Sequence, residues 1–283
     1  MIQFVPFPKN YELIDAGGGR KLEKWGEIIT IRPEHQAYFS AVKSVKEWQI
    51  LAHWEFIPVA EGQLNGTWKK LDPSAPNSWN YVSEYGDFQL EITSNKHIGI
   101  FPEQAFNWEF ISEFLTSEKR FLNAFAYTGV ASIVGKQTGA EVIHVDSMRG
   151  MLDWGNRNQD LNQLHGIKWV LEDALKFILR EHKRGNQYDL IQLDPPAWGL
   201  GAKNEKWKIE DLLPQLLQEA ISCLKPNGTL ILNTYSPKVT ESHLNQIISQ
   251  VAEVNLQSID ELWMMSTSGK KLFFGLCMRL GKN

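Results

Sequence analysis

The residues with the clearest chemical potential form the run Leu193-Asp-Pro-Pro-Ala-Trp198. A proline confines the preceding residue to extended backbone, so Asp194 and Pro195 are both expected to be extended. Prolines have no N–H group, so this turn presents only acceptors: the Asp194 carboxylate and the carbonyls of Asp194 and Pro195. Such a surface could receive an exocyclic amine, and the Trp198 ring could stack on a base. The alternative is a rigid turn in which Trp198 covers the edge of a sheet.

A loop with a single glycine, Phe125-Ala126-Tyr127-Thr128-Gly129 (the glycine loop), is a candidate for binding a nucleoside. A dinucleotide fingerprint has three glycines, so a nucleoside without a phosphate fits this loop better than a pyrophosphate does. Asp146 ends the next His-Val-Asp run, and a carboxylate there can accept both hydroxyls of a ribose. The alternatives are an ordinary strand-to-helix turn for the loop and a helix cap for Asp146 or Ser147.

Asp173, in the run Glu172-Asp-Ala174, also has two interpretations. It opens a predicted helix, so its side chain could cap that helix. It could instead accept a hydrogen bond from an adenine amino group. The residues alone leave both interpretations open.

All four sites follow short apolar runs, which from residue 107 alternate with longer amphipathic segments. This alternation is typical of a parallel sheet with crossover helices, in which ligands bind at the carboxyl ends of the strands. The predicted strands are 121–126, 141–145, 168–171, 188–193, 229–232, 256–262 and 272–278. The segment 263–271 is too short for a crossover helix, so the last two strands must pair antiparallel. The expected fold is therefore α/β, with a seven-stranded, mostly parallel Rossmann-like sheet.

Residues 1–105 contain short β-prone runs separated by turn signals such as Asn65-Gly66. They predict a small β-rich domain with one helix at 36–48, where spaced apolar residues give a loose apolar face. We therefore expect two domains. Residues 1–105 are a candidate for substrate recognition, and residues 106–283 carry the chemistry.

The composition excludes several classes of protein. A formal charge of −4, from 29 basic and 33 acidic residues, does not predict a strongly basic grip on nucleic acid, so any such contact must be local. The two cysteines, Cys223 and Cys277, are too few for a disulfide framework or a Cys-rich zinc site, and no metal site is predicted. No apolar run approaches the ~18 residues of a membrane span, and no secretory signal is evident. We expect a cytoplasmic protein.

The four motifs together resemble the S-adenosylmethionine-dependent methyltransferases related to the 23S ribosomal RNA cytosine-C5 methyltransferases. The likeness covers residues 97 to about 240. The antiparallel end of the predicted sheet also matches the class I methyltransferase arrangement and departs from that of dinucleotide dehydrogenases. The resemblance implies S-adenosylmethionine as the cofactor and RNA, ribosomal by analogy, as the substrate.

The same resemblance assigns roles to residues. It implies that Asp146 binds the ribose, Asp173 the adenine and the glycine loop the methionine part. The run Ile100-Phe-Pro-Glu-Gln104 resembles the family segment that closes over the cofactor, with Gln104 matching its glutamine. The residues expected to bind the cofactor are Phe101, Gln104, Phe125, Ala126, Tyr127, Thr128, Gly129, Asp146, Ser147, Asp173, Ala174 and Asp194.

The run Lys203-Asn-Glu-Lys-Trp-Lys208 resembles the family loop that follows the Asp-Pro-Pro motif. Its mixture of basic and aromatic residues suits RNA, and a solvated loop is the alternative. The residues expected to contact the substrate are Trp198, Lys203, Trp207, Lys208 and Tyr235. The expected catalytic group is Asp194, Pro195 and Trp198.

One departure from the family is important. The cytosine-C5 branch carries a nucleophilic cysteine just after the fifth strand, and Pro237 stands in that place here. Methylation of cytosine C5 requires a nucleophile to add to the ring. The Asp-Pro-Pro-aromatic turn instead suits an amine, whose lone pair needs no covalent help. We therefore expect transfer to a nitrogen of an RNA base, and expect Cys223 and Cys277 to be core residues.

Three alternatives remain open at this point. The first is a methyltransferase acting on a small molecule or a protein, which the acidic balance favours. The second is a nicotinamide dehydrogenase, against which the missing glycine fingerprint counts. The third is a non-catalytic module that keeps the cofactor pocket.

Overall fold

Short strands fill the N-terminal third of the computed structural model, which describes residues 1–60, 65–201, 206–251 and 254–283. This confirms the β-rich prediction for that part of the chain. The elements are β1 (Ile2–Phe4), β2 (Tyr11–Gly17), β3 (Arg20–Trp25), β4 (Ile28–Pro33), α1 (Val45–Leu51), β5 (Trp54–Pro58), β6 (Gly66–Lys70), β7 (Ser78–Ser83) and β8 (Gly86–Glu91).

After a 3₁₀ turn at Pro102–Gln104, helices and strands alternate, and each of the predicted strands overlaps an observed one. The helices are α2 (Ala105–Phe114), α3 (Val130–Gln137), α4 (Arg149–Leu161), α5 (Ala174–Lys183), α6 (Ile209–Ser222) and α7 (Glu241–Ile248). The strands are β9 (Arg120–Ala124), β10 (Glu141–Asp146), β11 (Lys168–Leu171), β12 (Tyr188–Leu193), β13 (Trp198–Leu200), β14 (Lys206–Lys208), β15 (Leu224–Thr234), β16 (Val254–Met265) and β17 (Lys271–Lys282).

The predicted strands form one sheet with the order β1-β16-β17-β15-β12-β9-β10-β11. Neighbouring strands from β15 to β11 in this order pair parallel, and β17 pairs antiparallel with β15. The predicted α/β sheet with an antiparallel end is thus confirmed. The direction of winding reverses between β9 and β12, which marks the expected position of a ligand site.

The chain divides into two compact units. We call residues 1–3, 107–262 and 275–283 the sheet unit, and residues 4–106 and 263–274 the N-terminal unit. The main boundary between the two units falls after residue 106, one residue beyond the predicted boundary after residue 105. Neither unit is one continuous stretch, because β1 adds an eighth strand beside β16 and the tip of the β16–β17 hairpin belongs to the N-terminal unit. The Met1 ammonium donates to the Ile259 carbonyl at 2.7 Å, which holds β1 in place.

The predicted helix at 36–48 was wrong. Its first residues are tied down by other backbone bonds, since the N–H groups of Gly18 and Gly19 donate to the carbonyls of Phe39 and Ala37. A shorter helix, α1, begins after Ser44, whose side chain and Glu47 form a reciprocal capping box. The sequence signal for the shorter helix is Ser44 followed three residues later by Glu47.

Asp15, on β2, is the polar centre of the N-terminal unit and is fully buried. Its carboxylate accepts hydrogen bonds from the backbone of Ala16, Val42 and Lys43, the Trp48 indole and the Ser268 hydroxyl. Burial raises the pKa of the Asp15 carboxyl, but the bonds from Ser268, Lys43, Trp48 and Val42 outweigh it, so the pKa lies below its ordinary value. The ionised carboxylate thus joins three separate segments of the chain.

We expect Asp15→Asn to lower the free energy of unfolding by about 1.5 to 3 kcal/mol at pH 7, the contribution of hydrogen bonds to a charged group. A lowered folded pKa means that this stability is present above the unfolded pKa, about 4, and is lost as the pH falls through the folded pKa. The difference between variant and wild type should therefore shrink in acid. Urea unfolding followed by circular dichroism at pH 7 and pH 3 measures it.

Asp72→Asn is the matched control, because the Asp72 carboxylate accepts local turn bonds from Ser74 and lies 3.9 Å from Nε2 of His53, with its side chain 42% exposed. Its unfolding curve should stay close to that of the wild type. An Asp15→Asn curve that also matches the wild type would show that the buried carboxylate is not needed.

Candidate active site

The four predicted sites lie at one edge of the sheet. In the parallel register Val145 and Leu193 both lie beside Ala124, and Asp146 lies beside Leu171. The glycine loop, Asp146, Asp173 and Asp194 follow directly after these strand ends. The sheet therefore brings together the residues that sequence reasoning selected separately.

The glycine loop has an unusual backbone. Phe125 and Tyr127 have φ values of 57° and 52°, and a non-glycine residue in this left-handed region costs about 1 to 3 kcal/mol. Gly129 has a φ of 85°, and a Cβ there would lie 3.0 Å from the Trp169 ring. The loop is held by bonds from Ala126 N–H to the Val145 carbonyl at 3.2 Å and from Gly129 N–H to the Ala126 carbonyl at 3.1 Å.

Asp146 holds the middle of this loop. Its carboxylate accepts the Tyr127 N–H on Oδ2 and the Met148 N–H on Oδ1, both at 2.9 Å. Burial raises the pKa of the Asp146 carboxyl, and the backbone bonds from Met148 and Tyr127 oppose that rise. Helix α4 starts from Met148 with no side-chain cap, so the capping alternative for Asp146 and Ser147 was wrong. A carboxylate has about four acceptor positions, so ribose hydroxyls can bind beside these N–H groups.

Asp173 caps α5, as one of its two interpretations predicted. Its Oδ1 accepts the Lys176 N–H at 2.9 Å. Any contact with adenine must therefore use the carboxylate while it caps the helix. The neighbouring Ala174 is buried in the hydrophobic core, and its contact with the cofactor remains a prediction.

The Asp-Pro-Pro turn leads into a two-stranded ribbon of β13 and β14, in which Trp198 pairs with Lys208, Gly199 with Trp207 and Leu200 with Lys206. Side chains alternate between the faces of a ribbon. The Trp198 and Leu200 side chains are 63% and 49% exposed, and both lysines are exposed across from them. This outer face (Trp198, Leu200, Lys206 and Lys208) is the ribbon face.

Trp207 is the buried residue of the β13–β14 ribbon's second strand. It was expected to contact substrate, but it is only 5% exposed and its indole donates to the Pro196 carbonyl at 2.6 Å. Its ring packs on Phe125 with 5.0 Å between centroids. Because Trp207 alternates with the exposed lysines, it faces inward, where it connects the Pro-Pro turn to the glycine loop.

The other predicted residues are distributed as follows. Lys208 lies 3.3 Å from the Asp211 carboxylate on the surface, and Tyr235 is 38% exposed just after β15. Lys203 lies outside the described residues. Phe101 and Gln104 belong to the N-terminal unit, and Gln104 is 4% exposed. Their contact with the cofactor remains a prediction.

Neither cysteine is placed as a nucleophile. Cys223 and Cys277 are both fully buried, as expected for core residues. The pKa of each thiol is raised to about 12, mainly by burial; Glu181 contributes to the rise at Cys223, and Arg279 opposes the rise at Cys277. Since the thiolate is the reactive form, both side chains stay protonated and shielded at neutral pH.

Sequence reasoning missed a buried polar layer beneath the glycine loop. The Asn123 amide donates to the Ser132 hydroxyl at 3.0 Å, and that hydroxyl lies 3.0 Å from Nδ1 of His144. Burial lowers the pKa of His144 to about 3, so the ring is neutral. Asn158, buried on α4, was also missed. For Asn123 and His144, polar residues inside apolar runs were the available signal.

Two kinds of feature are absent from the described part of the chain. It contains no helix that is both long and apolar enough to cross a membrane. It also contains no group of three or more His, Cys, Asp or Glu side chains arranged to hold a metal ion.

Comparison with known proteins agrees with this geometry. A family model described as S-adenosylmethionine-dependent methyltransferase matches residues 63–258. A solved S-adenosylmethionine-dependent methyltransferase from Agrobacterium tumefaciens is 31% identical, with a TM-score of 0.90 over 100% of this chain and 94% of its own. SMU.776, solved with S-adenosylhomocysteine, is 15% identical with a TM-score of 0.77 over 98% of this chain and 76% of its own, which shows the fold alone.

Two curated relatives carry ribosomal RNA names. Ribosomal RNA large subunit methyltransferase K/L of Pseudoalteromonas translucida is 35% identical over 54% of this chain and 22% of its own length. Ribosomal RNA large subunit methyltransferase I of Aeromonas salmonicida is 30% identical over 58% of this chain and 41% of its own. The chain therefore spans less than half of the length of these two relatives.

We expect Asp146→Ala to weaken S-adenosylhomocysteine binding by about 1.5 to 3 kcal/mol, because hydrogen bonds to a charged group are lost. Isothermal titration calorimetry measures the change. Asp153→Ala, an exposed carboxylate on α4, is the control and should bind as the wild type does. Unchanged affinity in a folded Asp146→Ala variant would remove Asp146 from the cofactor site.

Proposed function

Because the chain belongs to the S-adenosylmethionine-dependent methyltransferase family, we propose that it transfers the methyl group to a nitrogen of an RNA base. The observation that carries this proposal is the ribbon face, which begins four residues after Asp194. Family membership excludes the nicotinamide dehydrogenase and the non-catalytic module that the sequence alone left open.

The cofactor supplies a methyl group already activated by the positive sulfur, so the protein's main task is alignment. Asp146 holds the ribose, and the glycine loop holds the methionine part. The single glycine and the carboxylate at the end of β10 fit a nucleoside without phosphate. The Asp173 carboxylate accepts a hydrogen bond from the adenine amino group of the cofactor while it also caps α5.

Asp194 and the proline turn orient the acceptor. Pro195 is buried and Asp194 lies half-buried at the end of β12, so the turn is anchored on the sheet. Its carboxylate and carbonyls accept hydrogen bonds from an amine and direct the nitrogen lone pair at the methyl carbon. Asp194 then receives the proton that the methylated nitrogen releases. The two buried thiols support a nitrogen acceptor, since neither offers the nucleophile that a ring carbon requires.

The ribbon face favours RNA over a small molecule. An exposed tryptophan gives a base a surface for stacking, and adjacent lysines attract the phosphate backbone. The names of the relatives make ribosomal RNA the first candidate, and that substrate places the reaction in the cytoplasm. A small molecule or a protein is the competing acceptor; affinity that falls steeply with salt is expected only for RNA.

We expect Trp198→Ala to lower methyl transfer to RNA about fivefold or more, because stacking on one base contributes about 1 to 3 kcal/mol. Affinity for S-adenosylhomocysteine should stay near that of the wild type, since Trp198 serves the acceptor. The assay uses labelled cofactor and RNA from cells that lack this protein, and mass spectrometry of nucleosides identifies the methylated atom. Leu256→Ala, on β16 and 37% exposed, is the control and should transfer normally.

Two results would contradict the proposal. Normal methyl transfer by Trp198→Ala would show that the Trp198 ring does not bind the acceptor. Label that appears in protein or small molecules, with none in RNA, would show that the acceptor is not RNA.

We expect the double variant Cys223→Ala, Cys277→Ser to keep the wild-type rate of methyl transfer. Serine retains the bond that the Cys277 thiol donates to Asn107 Oδ1 at 3.3 Å, and alanine suits the apolar surroundings of Cys223. RNA carrying 5-fluorocytosine tests the same point, since a cysteine nucleophile would become trapped on it. A covalent complex, or 5-methylcytosine as the product, would overturn the assignment to nitrogen.

A further inference from the structure

Asn158 makes a contact that the roles assigned so far do not explain. Its amide Nδ2 donates to the backbone carbonyl of Thr128, in the glycine loop, at 2.9 Å. Asn158 is fully buried and Thr128 is only 1% exposed. A fixed side chain on α4 therefore holds one peptide group of the loop from beneath.

Two glycines allow α4 and the glycine loop to lie close to each other. Gly155 lies one turn before Asn158 on the same face of α4. A Cβ at Gly155 would lie 2.4 Å from the Trp169 ring and 3.4 Å from the Thr128 carbonyl oxygen. Gly129 meets the same ring, since a Cβ there would lie 3.0 Å from it. The absence of side chains at both glycines lets the helix and the loop close on Trp169, and this places the Asn158 amide under Thr128.

The loop also needs support at this end. Asp146 fixes Tyr127 through its N–H group, but that bond leaves the orientation of the following peptides undetermined. The bond from Asn158 turns the Thr128 carbonyl inward, so the peptide between Thr128 and Gly129 has one orientation. Gly129 N–H then reaches the Ala126 carbonyl at 3.1 Å, which closes the turn.

We propose that Asn158 is a positioning residue for S-adenosylmethionine: it sets the backbone of the glycine loop that receives the amino-acid part of the cofactor. Asn158 acts through Thr128 and does not itself touch the ligand. This inference rests on the proposed assignment of the glycine loop to the methionine part.

The test compares two ligands that share the adenosine and the sulfur. S-adenosylhomocysteine carries the amino-acid part, and 5′-methylthioadenosine lacks it. Asn158→Leu, similar in size but without a donor, should weaken S-adenosylhomocysteine tenfold or more and change 5′-methylthioadenosine less than threefold, by calorimetry. Asn158→Asp, which sets a carboxylate against the carbonyl, should discriminate at least as strongly; if the leucine variant does not fold, Asn158→Ser is measured instead.

Asn156→Leu is the matched control, because the Asn156 amide donates to the Leu152 carbonyl within the same helix. It should bind both ligands as the wild type does. An equal loss of both ligands in the Asn158 variants, or no loss of either, would overturn the positioning role. Failure of the underlying assignment is separate: a wild-type protein that binds both ligands equally well would show that the loop does not hold the methionine part.

Discussion

The hydrogen bond from the Tyr127 N–H to the Asp146 carboxylate is the interaction on which the active site depends. It joins the ends of two adjacent parallel strands, and it holds a left-handed residue that the backbone alone would disfavour. The same carboxylate accepts the Met148 N–H just before α4 begins. One side chain therefore shapes the loop and also holds the residue that precedes the next helix.

A layer of buried polar side chains lies beneath the glycine loop, on central strands where apolar residues are usual. Strands of a parallel sheet are buried on both faces and are mostly apolar, yet His144, Asn123 and Gln192 lie side by side in the register of three neighbouring strands. Ser132 links two of them from α3. With His144 neutral, the layer carries no buried charge, and its bonds fix the strand register directly below the loop.

The central strands could be predicted because buried parallel strands form continuous apolar runs, and Asp194-Pro-Pro was identified because proline restricts the backbone whatever the tertiary context. Strand β1 could not be predicted, since three residues at a sheet edge carry no period. The roles of Trp198 and Trp207 depend on the alternation of a ribbon that pairs only in the folded chain. Asn158 acts across 30 positions, a distance that local spacing does not report.

The tip of the β16–β17 hairpin bears on how the chain folds as it is synthesised. Residues 263–274 complete the N-terminal unit, and the Asp15 carboxylate bonds with Ser268, 253 positions later. Domains usually fold as units, with the N-terminal one first, while the ribosome adds residues. Here residues 4–106 cannot complete their unit until residues 263–274 have been synthesised. Contacts of such high sequence separation slow folding, so the early strands lack the Ser268 bond to Asp15 until the hairpin has been made.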